Sequence, residues 1–583
     1  VKAFLIEVDM EKRIWWKQAV GYEIYPQTFA DSNNDGIGDL PGITSKLNYL
    51  KMLGIDLIWI CPFLKSPMDD NGYDIADYYC VNPLFGTNDD LKELIKQAHA
   101  LGIHIIMDFV LNHTSDENAW FIEARKNKQA EEHDYYIWQP PRYDEKGNRQ
   151  PPNNWRGFFS DSAWAYDEVA DEYYMRIFSK KMPDLNWENP LLRKKIYAIA
   201  RHYLDLGIDG FRLDAIAHLA RDLSFANSTQ NPDYDGLTLD VSKFSNRERL
   251  FDYLHEFKKA VLEDYPLAMT VGEVGGSSTT LTALKYSHKD YGSINMVFNF
   301  DTCWENGAYG SETLRDDQII TNVWNLKHNF ARWYNDCHRD AWLPLYWVNH
   351  DHPRVLSQYG NVAFRKESGK MLALVLLFMY GTPFLYQGEE LGMSNVDYQS
   401  LDDFTSDVSA RNYILDARKR GLNDELILRF LRRTSRINSR TPMQWKNAPY
   451  AGFSLVPPRI KPVNNYQEVN AEDEIKDPDS IFNFYRQAIA LRKDMAILDS
   501  VTMSDFVLEN EDDPNVFAYR HPGKKHLFVV ANFRPYQVNF SSDFLGRKHH
   551  TLLQNYLEPS AIRDGNQVSL RPFECFLWEI EDN

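Results

Sequence analysis

The chain has 583 residues, too many for one ordinary hydrophobic core, so a large domain carrying smaller ones is expected. Its formal net charge of -19 at pH 7 argues against a nucleic-acid or anionic-membrane partner, either of which calls for a basic surface, and leaves a neutral substrate as the best fit. Aromatic residues reach 14%, with 15 Trp and 33 Tyr, a content that suits flat platforms for sugar rings as well as core packing.

The opening segment, Val1 to Asp9, is too short and too acidic for the apolar part of a signal peptide, and Met10 would serve as a native start. No stretch of membrane-spanning length follows, which predicts a cytoplasmic protein. Cys61, Cys80, Cys303, Cys337 and Cys575 are scattered without metal-type or redox spacing and are expected to be reduced thiols.

The first β-rich run covers residues 20–25. After it, Asp31, Asn33, Asp35, Ile37 and Asp39 offer oxygen ligands at alternating positions, with Gly36 for the turn, as in a Ca²⁺ loop. The usual Glu at the twelfth position is missing, since Pro41-Gly42-Ile43 follow, and an Asx-rich turn without metal has the same composition. Runs at 56–61 and 104–109 come next. The first precedes Asp70-Asn71-Gly72-Tyr73-Asp74-Ile75, and the second runs into Asp108-Phe109-Val110-Leu111-Asn112-His113.

From 113 to 182 the chain is rich in Trp, Tyr, Pro and Asn without a clear helix period. Structureless loops longer than ~15 residues are uncommon, so this interval predicts an inserted domain. It closes on Phe178-Ser179-Lys180-Lys181-Met182-Pro183-Asp184-Leu185-Asn186. Runs at 208–213, 268–272, 295–298, 344–348 and 383–386 bring the total to eight, most of them followed by amphipathic helical patterns. That alternation predicts an α/β fold, a (β/α)8 TIM barrel, over residues 10–112 and 183–499. Residues 392–467 read as a long irregular stretch on the catalytic face, holding Ser435-Arg436-Ile437-Asn438-Ser439-Arg440-Thr441-Pro442-Met443-Gln444-Trp445. Short alternating strands at 515–519, 526–532 and 574–580 predict an antiparallel β-sandwich over 500–583.

Three strand ends carry an acid: Asp214 in Gly210-Phe211-Arg212-Leu213-Asp214, Glu273 in Gly272-Glu273, and Asp351 in Asn349-His350-Asp351. The catalytic face of a parallel barrel lies at those ends, so the three are expected to share one mouth. Arg212 and Asp214 fall on one side of their strand, so the guanidinium is expected beside the carboxylate, keeping it ionised. Cleavage of a glycosidic bond needs two carboxyl groups in different protonation states, one to attack and one to donate to the leaving oxygen; a third can hold hydroxyls. Any one such acid is as well explained as a helix cap, but three at three strand ends are not.

Taken in this order, the motifs resemble those of α-glucosidases of the α-amylase superfamily (glycoside hydrolase family 13), of the oligo-1,6-glucosidase and maltase type, over nearly the whole chain. The resemblance implies that Asp214 is the nucleophile, Glu273 the general acid/base and Asp351 the transition-state stabiliser. It also implies retention of the α-anomer, with the nucleophile and acid/base carboxyls about 5 to 5.5 Å apart. By the same resemblance His113 and His350 hydrogen-bond the glucose, Tyr73 lies under it, Arg212 supports the nucleophile and Phe178 heads a fifth conserved block. Asp70 paired with Arg440 would close the pocket behind one glucose, which implies exo-action on non-reducing ends. A structural Ca²⁺, occasionally Mg²⁺, is implied at Asp31, Asn33, Asp35, Ile37 and Asp39, and no cofactor in the chemical step.

Two positions depart from the type. Met182 stands where glutamine is usual, and Ala215 stands where members that prefer α-1,6 bonds tend to carry valine. A smaller residue beside the second sugar makes room for an α-1,4-linked ring, so maltose and short malto-oligosaccharides are the expected substrates, with transglucosylation as a side reaction. A methyl-scale difference supplies only about 1 to 3 kcal/mol of discrimination. The alternatives are an oligo-1,6-glucosidase acting on isomaltose and panose, and a transglucosylase or sugar isomerase using the same triad. A non-catalytic, transporter-associated barrel is disfavoured by the intact acids. Partners are expected to be small α-glucosides, with the protein a monomer or weak dimer.

Overall fold

Eight parallel strands form one sheet: β1 (Gly21–Ile24), β2 (Leu57–Ile60), β3 (His104–Val110), β4 (Gly210–Asp214), β5 (Met269–Glu273), β6 (Met296–Phe298), β7 (Pro344–Leu345) and β8 (Thr382–Tyr386). Their order, β6-β5-β4-β3-β2-β1-β8-β7, curls into a nearly closed (β/α)8 barrel with β6 against β7 at the seam. This computed structural model describes residues 14–159, 161–275, 279–301, 312–315, 318–558, 560, 562–563 and 565–581. The opening segment with Met10, and Cys303, lie outside them; Cys61, Cys80, Cys337 and Cys575 are free thiols. Each strand falls on one of the expected runs, with ends moved by a few residues. Strands covered on both faces need unbroken apolar sequence, which is why Leu57-Ile58-Trp59-Ile60 shows no alternation and is buried throughout.

Local sequence delivers β4 to the barrel mouth. Helix Pro190–Leu206 starts at Asn189, whose side chain accepts from the Leu191 and Leu192 amides, and stops at Gly207 in the left-handed region (φ 109). Gly210 has φ 150, and a Cβ there would lie 1.9 Å from the Met269 carbonyl oxygen, so only glycine lets β4 and β5 approach. Arg212 then sits in register with Asp108 of β3, and Leu213 with Gly272 of β5.

Between β3 and β4 the chain folds a three-stranded antiparallel sheet of Trp138–Gln139, Glu172–Met175 and Trp164–Asp167. Trp155, Trp164, Met175 and Ile177 form a separate apolar cluster there, joined by Phe244 from beyond β4. The interval is not without helix, since Ala119–Lys126 is helical and capped by Asn118. Residues 392–467 are likewise less irregular than expected. Asp407 and Asn423 cap α1 (Val408–Lys419) and α2 (Asp424–Thr434), which bury Ile414, Ala417, Ile427 and Leu431 in a common small cluster. Both helices are dense in charge, which masked their narrow apolar stripes.

The C-terminal strands Val507–Glu509, Val516–Pro522, His526–Asn532, Cys575–Ile580 and His549–Gln554 make an antiparallel sheet. Phe528 and Trp578 from it pack with Phe540 and Leu570 from a second, three-stranded sheet. Lys327, on helix Val323–Cys337, donates to the carbonyls of Asn510, Asp513 and Val516 and so ties this unit to the barrel. Among the described residues no helix is long and apolar enough to cross a membrane.

Candidate active site

A cavity of about 500 Å³ opens at the C-terminal ends of the strands, and Asp214, Glu273 and Asp351 all stand on its wall. Asp70, Tyr73, His113, Phe178, Met182 and Ala215 line it too. Arg212 lies under the floor, 1% exposed. Its Nη1 donates to Asp108 Oδ1 at 2.9 Å and to Asp214 Oδ1 at 2.5 Å, while Nη2 donates to Glu273 Oε2 at 2.5 Å. The expected private pair of Arg212 with Asp214 is therefore a four-membered cluster. Burial pushes the Asp214 carboxyl well above its ordinary value; Arg212 opposes this, and the neighbouring Glu273 and Asp108 add to it. Arg212 is beside Asp214 as expected and works to keep it ionised, but it does not hold the pKa down, because one cation is shared among three acids and burial outweighs it.

Ala215 has φ 47, in the left-handed region where β-branched side chains are disfavoured. Its amide turns toward Glu273 Oε2 at 3.4 Å. A small side chain suits this backbone.

Asp351 accepts from Arg440 Nη2 at 2.7 Å and from Arg436 Nη1 at 3.2 Å, and its Oδ2 lies 3.2 Å from His350 Nε2. Burial alone would raise its pKa, but His350 and the two arginines bring it well below the ordinary carboxylate range. Asp70 does not pair with Arg440 as expected; its partner is Arg436, at 2.6 Å. Arg440 is 1% exposed, over the Tyr25 ring, and its Nε is spent on the His350 carbonyl at 3.0 Å. Asp407 holds Arg436 from the other side, accepting from Nε at 2.6 Å while its other oxygen caps α1.

The two histidines separate. His113 is on the cavity wall, with Nδ1 3.1 Å from the Asn112 amide nitrogen and Nε2 without a partner among the described residues. Burial lowers its pKa to about 3, so it stays neutral; with Nδ1 accepting from Asn112, Nε2 carries the ring proton. His350 is not on the wall. It is fully buried behind Tyr73, with Nε2 2.6 Å from the Tyr73 hydroxyl and Nδ1 2.6 Å from Glu23 Oε1. Burial alone would lower the His350 pKa, yet Asp351 and Cys61 raise it well above its ordinary value. Ligand atoms of Glu23, Cys61 and His350 converge within 4.8 Å, but both imidazole nitrogens are spent, which makes this a hydrogen-bond network rather than a metal centre.

In the 31–39 loop, Asp31 accepts the Asn34 and Gly36 amides, Asn33 accepts that of Asp35, and Asp35 accepts that of Ile37. Asp39 caps the next helix through Gly42 and takes Ser32. Except for Asp39 Oδ2, which takes both the amide and the hydroxyl of Ser32, each carboxylate oxygen keeps a further lone pair, and the donor set, with the Ile37 carbonyl, is all oxygen. By donor type these residues fit a hard cation.

Sequence reasoning did not single out Arg436, Asp407 or Glu23, nor the aromatic wall of Phe158, Phe159, Phe300, Tyr413 and Phe430. Arg436 stood inside a quoted segment, but nothing there ranked it above Arg440. Asp407 carried no signal beyond an Asp before a helical stretch.

The family profile described as Alpha amylase, catalytic domain, matches residues 23–500. An oligo-1,6-glucosidase of Bacillus cereus is 41% identical over 578 residues, 98% of this chain and 100% of that protein. Among solved structures, the trehalose-6-phosphate hydrolase of Bacillus licheniformis (mutant R201Q) superposes with a TM-score of 0.89 at 35% identity, covering 97% of this chain and 100% of that one. The isomaltulose synthase of Klebsiella sp. LX3 also gives 0.89, at 32% identity, covering 97% of this chain and 99% of that one.

Proposed function

Because this chain belongs to the α-amylase family and is a glycoside hydrolase, we propose that it is a retaining α-glucosidase that removes single glucose units from the non-reducing ends of short α-1,6-linked glucosides such as isomaltose and panose. The observation that carries this reading is the meeting of Asp214, Glu273 and Asp351 on one cavity wall, with Asp214 and Glu273 bonded to the same guanidinium. Two carboxyls gathered on one cation favour the close spacing of a retaining pair over the wider one of an inverting pair.

In this mechanism Asp214 attacks the anomeric carbon while Glu273 protonates the glycosidic oxygen, leaving a β-glucosyl ester on Asp214. Glu273 then deprotonates a water that attacks the same carbon, and α-glucose leaves. Asp351, held ionised by its three cationic neighbours, binds ring hydroxyls. His113 donates from Nε2 to a hydroxyl, and Tyr73 lies beneath the ring. The Asp70–Arg436 pair closes the inner wall beyond one glucose, which supports exo-action.

The linkage follows the relatives rather than Ala215. The α-1,4 expectation rested on that one residue, whose left-handed backbone supplies a second explanation for its size, whereas the Bacillus cereus relative is named for α-1,6 cleavage. A structural Ca²⁺ or Mg²⁺ held by Asp31, Asn33, Asp35, Asp39 and the Ile37 carbonyl belongs to the same proposal. When bound it would rigidify the loop after β1, and it stays outside the chemical step.

A second reading is favoured by the aromatic wall and the isomaltulose synthase relative: transfer of the glucosyl group to a sugar instead of water. Proton NMR of the first product from isomaltose, panose, maltose and sucrose tests both. Initial α-glucose with isomaltose preferred is expected, and Asp214→Asn should lose at least ~10⁴-fold in kcat, as removal of a nucleophile does. An initial β-anomer, or full activity of the variant, overturns the mechanism; dominant sugar products move the assignment to a transferase.

A further inference from the structure

We propose that Glu23 is a positioning residue that keeps His350 doubly protonated beneath the glucose pocket and thereby fixes Tyr73 and Asp351; this rests on the reading of the cavity as the glucoside site. Glu23 lies on β1, 2% exposed, in register with Trp59 of β2 and Tyr386 of β8. Its Oε1 accepts from His350 Nδ1 at 2.6 Å, from the His350 amide at 3.3 Å and from the Cys61 thiol at 3.4 Å. Across the ring, Nε2 is 2.6 Å from the Tyr73 hydroxyl and 3.2 Å from Asp351 Oδ2.

Carboxylates only accept, so a hydrogen bond from Nδ1 to Glu23 and an ion pair of the ring with Asp351 together require a proton on each ring nitrogen. The Tyr73 oxygen then accepts from the ring, and its single proton goes to Asp108 Oδ2, 3.0 Å away. A neutral ring would turn a lone pair toward the Asp351 anion, or oblige Tyr73 to swing its proton away from Asp108. Either change disturbs two groups that face the sugar.

Asp351 and Cys61 also favour the charged ring, but neither offers Nδ1 a carboxylate oxygen as Glu23 does. Tyr25 stacks on it at 6.1 Å, Cys61 Sγ is 3.6 Å from Nδ1, and Arg440 reaches only the main-chain carbonyl. Tyr386 and His352 act on His350 from the ends of β8 and the loop after β7, and Glu389 faces Glu23 from behind β8. Among the described residues Glu23 is the carboxylate in hydrogen-bond contact with Nδ1.

Glu23→Gln tests the charge apart from the shape, since the amide oxygen can still accept from Nδ1–H, and Glu23→Asp keeps the charge while shortening the reach. The full chain is followed by ¹⁵N NMR of the His350 ring, by kcat/KM on isomaltose against pH, and by thermal melting. In the wild type the ring is expected to remain an imidazolium through pH 8. In Glu23→Gln it loses its proton at least ~1 pH unit lower, because an adjacent opposite charge is worth ~1 to 3 units. The alkaline limb of kcat/KM belongs to the Glu273 proton, so the variant is expected to lose kcat/KM on the alkaline side only where His350 is neutralised first, while the acid limb and the melting temperature hold and Glu23→Asp lies nearer the wild type. A neutral wild-type ring at pH 7, or a Glu23→Gln ring that titrates where the wild type does, overturns the proposal. The NMR arm needs no turnover, so it still decides if glucosides prove not to be substrates or if the glutamine variant fails to fold.

Discussion

Arg436 Nη2 lies 2.6 Å from Asp70 Oδ1, and through Nη1 and Nε the same guanidinium reaches Asp351 and Asp407. Arg436 is thus the hub that joins the pocket's inner wall to the cap of α1, while Arg440 is a brace behind Asp351. Replacing Arg436 by Lys keeps one charge but loses the three-way fork. The expected result is a fall of roughly 10²-fold in kcat/KM on isomaltose, about 2.7 kcal/mol, most of it in KM. Near-normal steady-state kinetics would refute the hub.

The acid side of the activity profile should report Asp214. Attack needs its carboxylate, and burial, with help from Glu273 and Asp108 and against Arg212, raises its pKa well above the usual value. Activity is therefore gained as pH rises through a limb lying above the ordinary aspartate value of ~3.9. Asp351, whose pKa is brought well below that range, is already ionised there and leaves no limb of its own. Arg212→Gln removes the one opposing cation and is expected to move the limb to still higher pH; a limb that stays in place or falls contradicts the cluster.

The 31–39 loop gives a prediction independent of catalysis. Adding millimolar Ca²⁺ to chelator-treated protein is expected to raise the melting temperature, since a ligand at 100 times its Kd adds ~2.7 kcal/mol. Asp35→Asn should blunt the rise while leaving the melting temperature in chelator nearly unchanged. If Ca²⁺ and Mg²⁺ leave the wild-type melt where chelator does, the loop is an Asx turn and nothing more.

Ala215→Val separates the two explanations for a small residue. A β-branched side chain at φ 47 is disfavoured beyond what alanine already bears there, so the melting temperature is expected to fall. If that backbone term is the whole reason, the ratio of isomaltose to maltose turnover stays as in the wild type, where isomaltose is expected to lead. A rise of more than ~10-fold in the ratio would return linkage control to this position.

The barrel was legible because its strands are covered on both faces, and continuous apolar runs such as Leu57-Ile58-Trp59-Ile60 have few other readings. The three acids were legible because each ends a strand or follows one closely. What sequence did not carry was orientation. Two arginines four residues apart have the same chemistry, and only the turn at Arg436–Asn438 decides which faces the cavity. His350 adjoins Asp351 in the chain, yet its ring rotates inward to Glu23, a partner 327 residues away. The α1 and α2 helices were missed because a stripe of a few small apolar residues is drowned by surrounding charge.

The chain's negative charge and its active-site cations inhabit different solvents. Arg212, His350 and Arg440 are at most 1% exposed, below the reach of an ion atmosphere that screens beyond about 8 Å at physiological ionic strength. Salt therefore damps the field of the -19 exterior while screening the interior one far less.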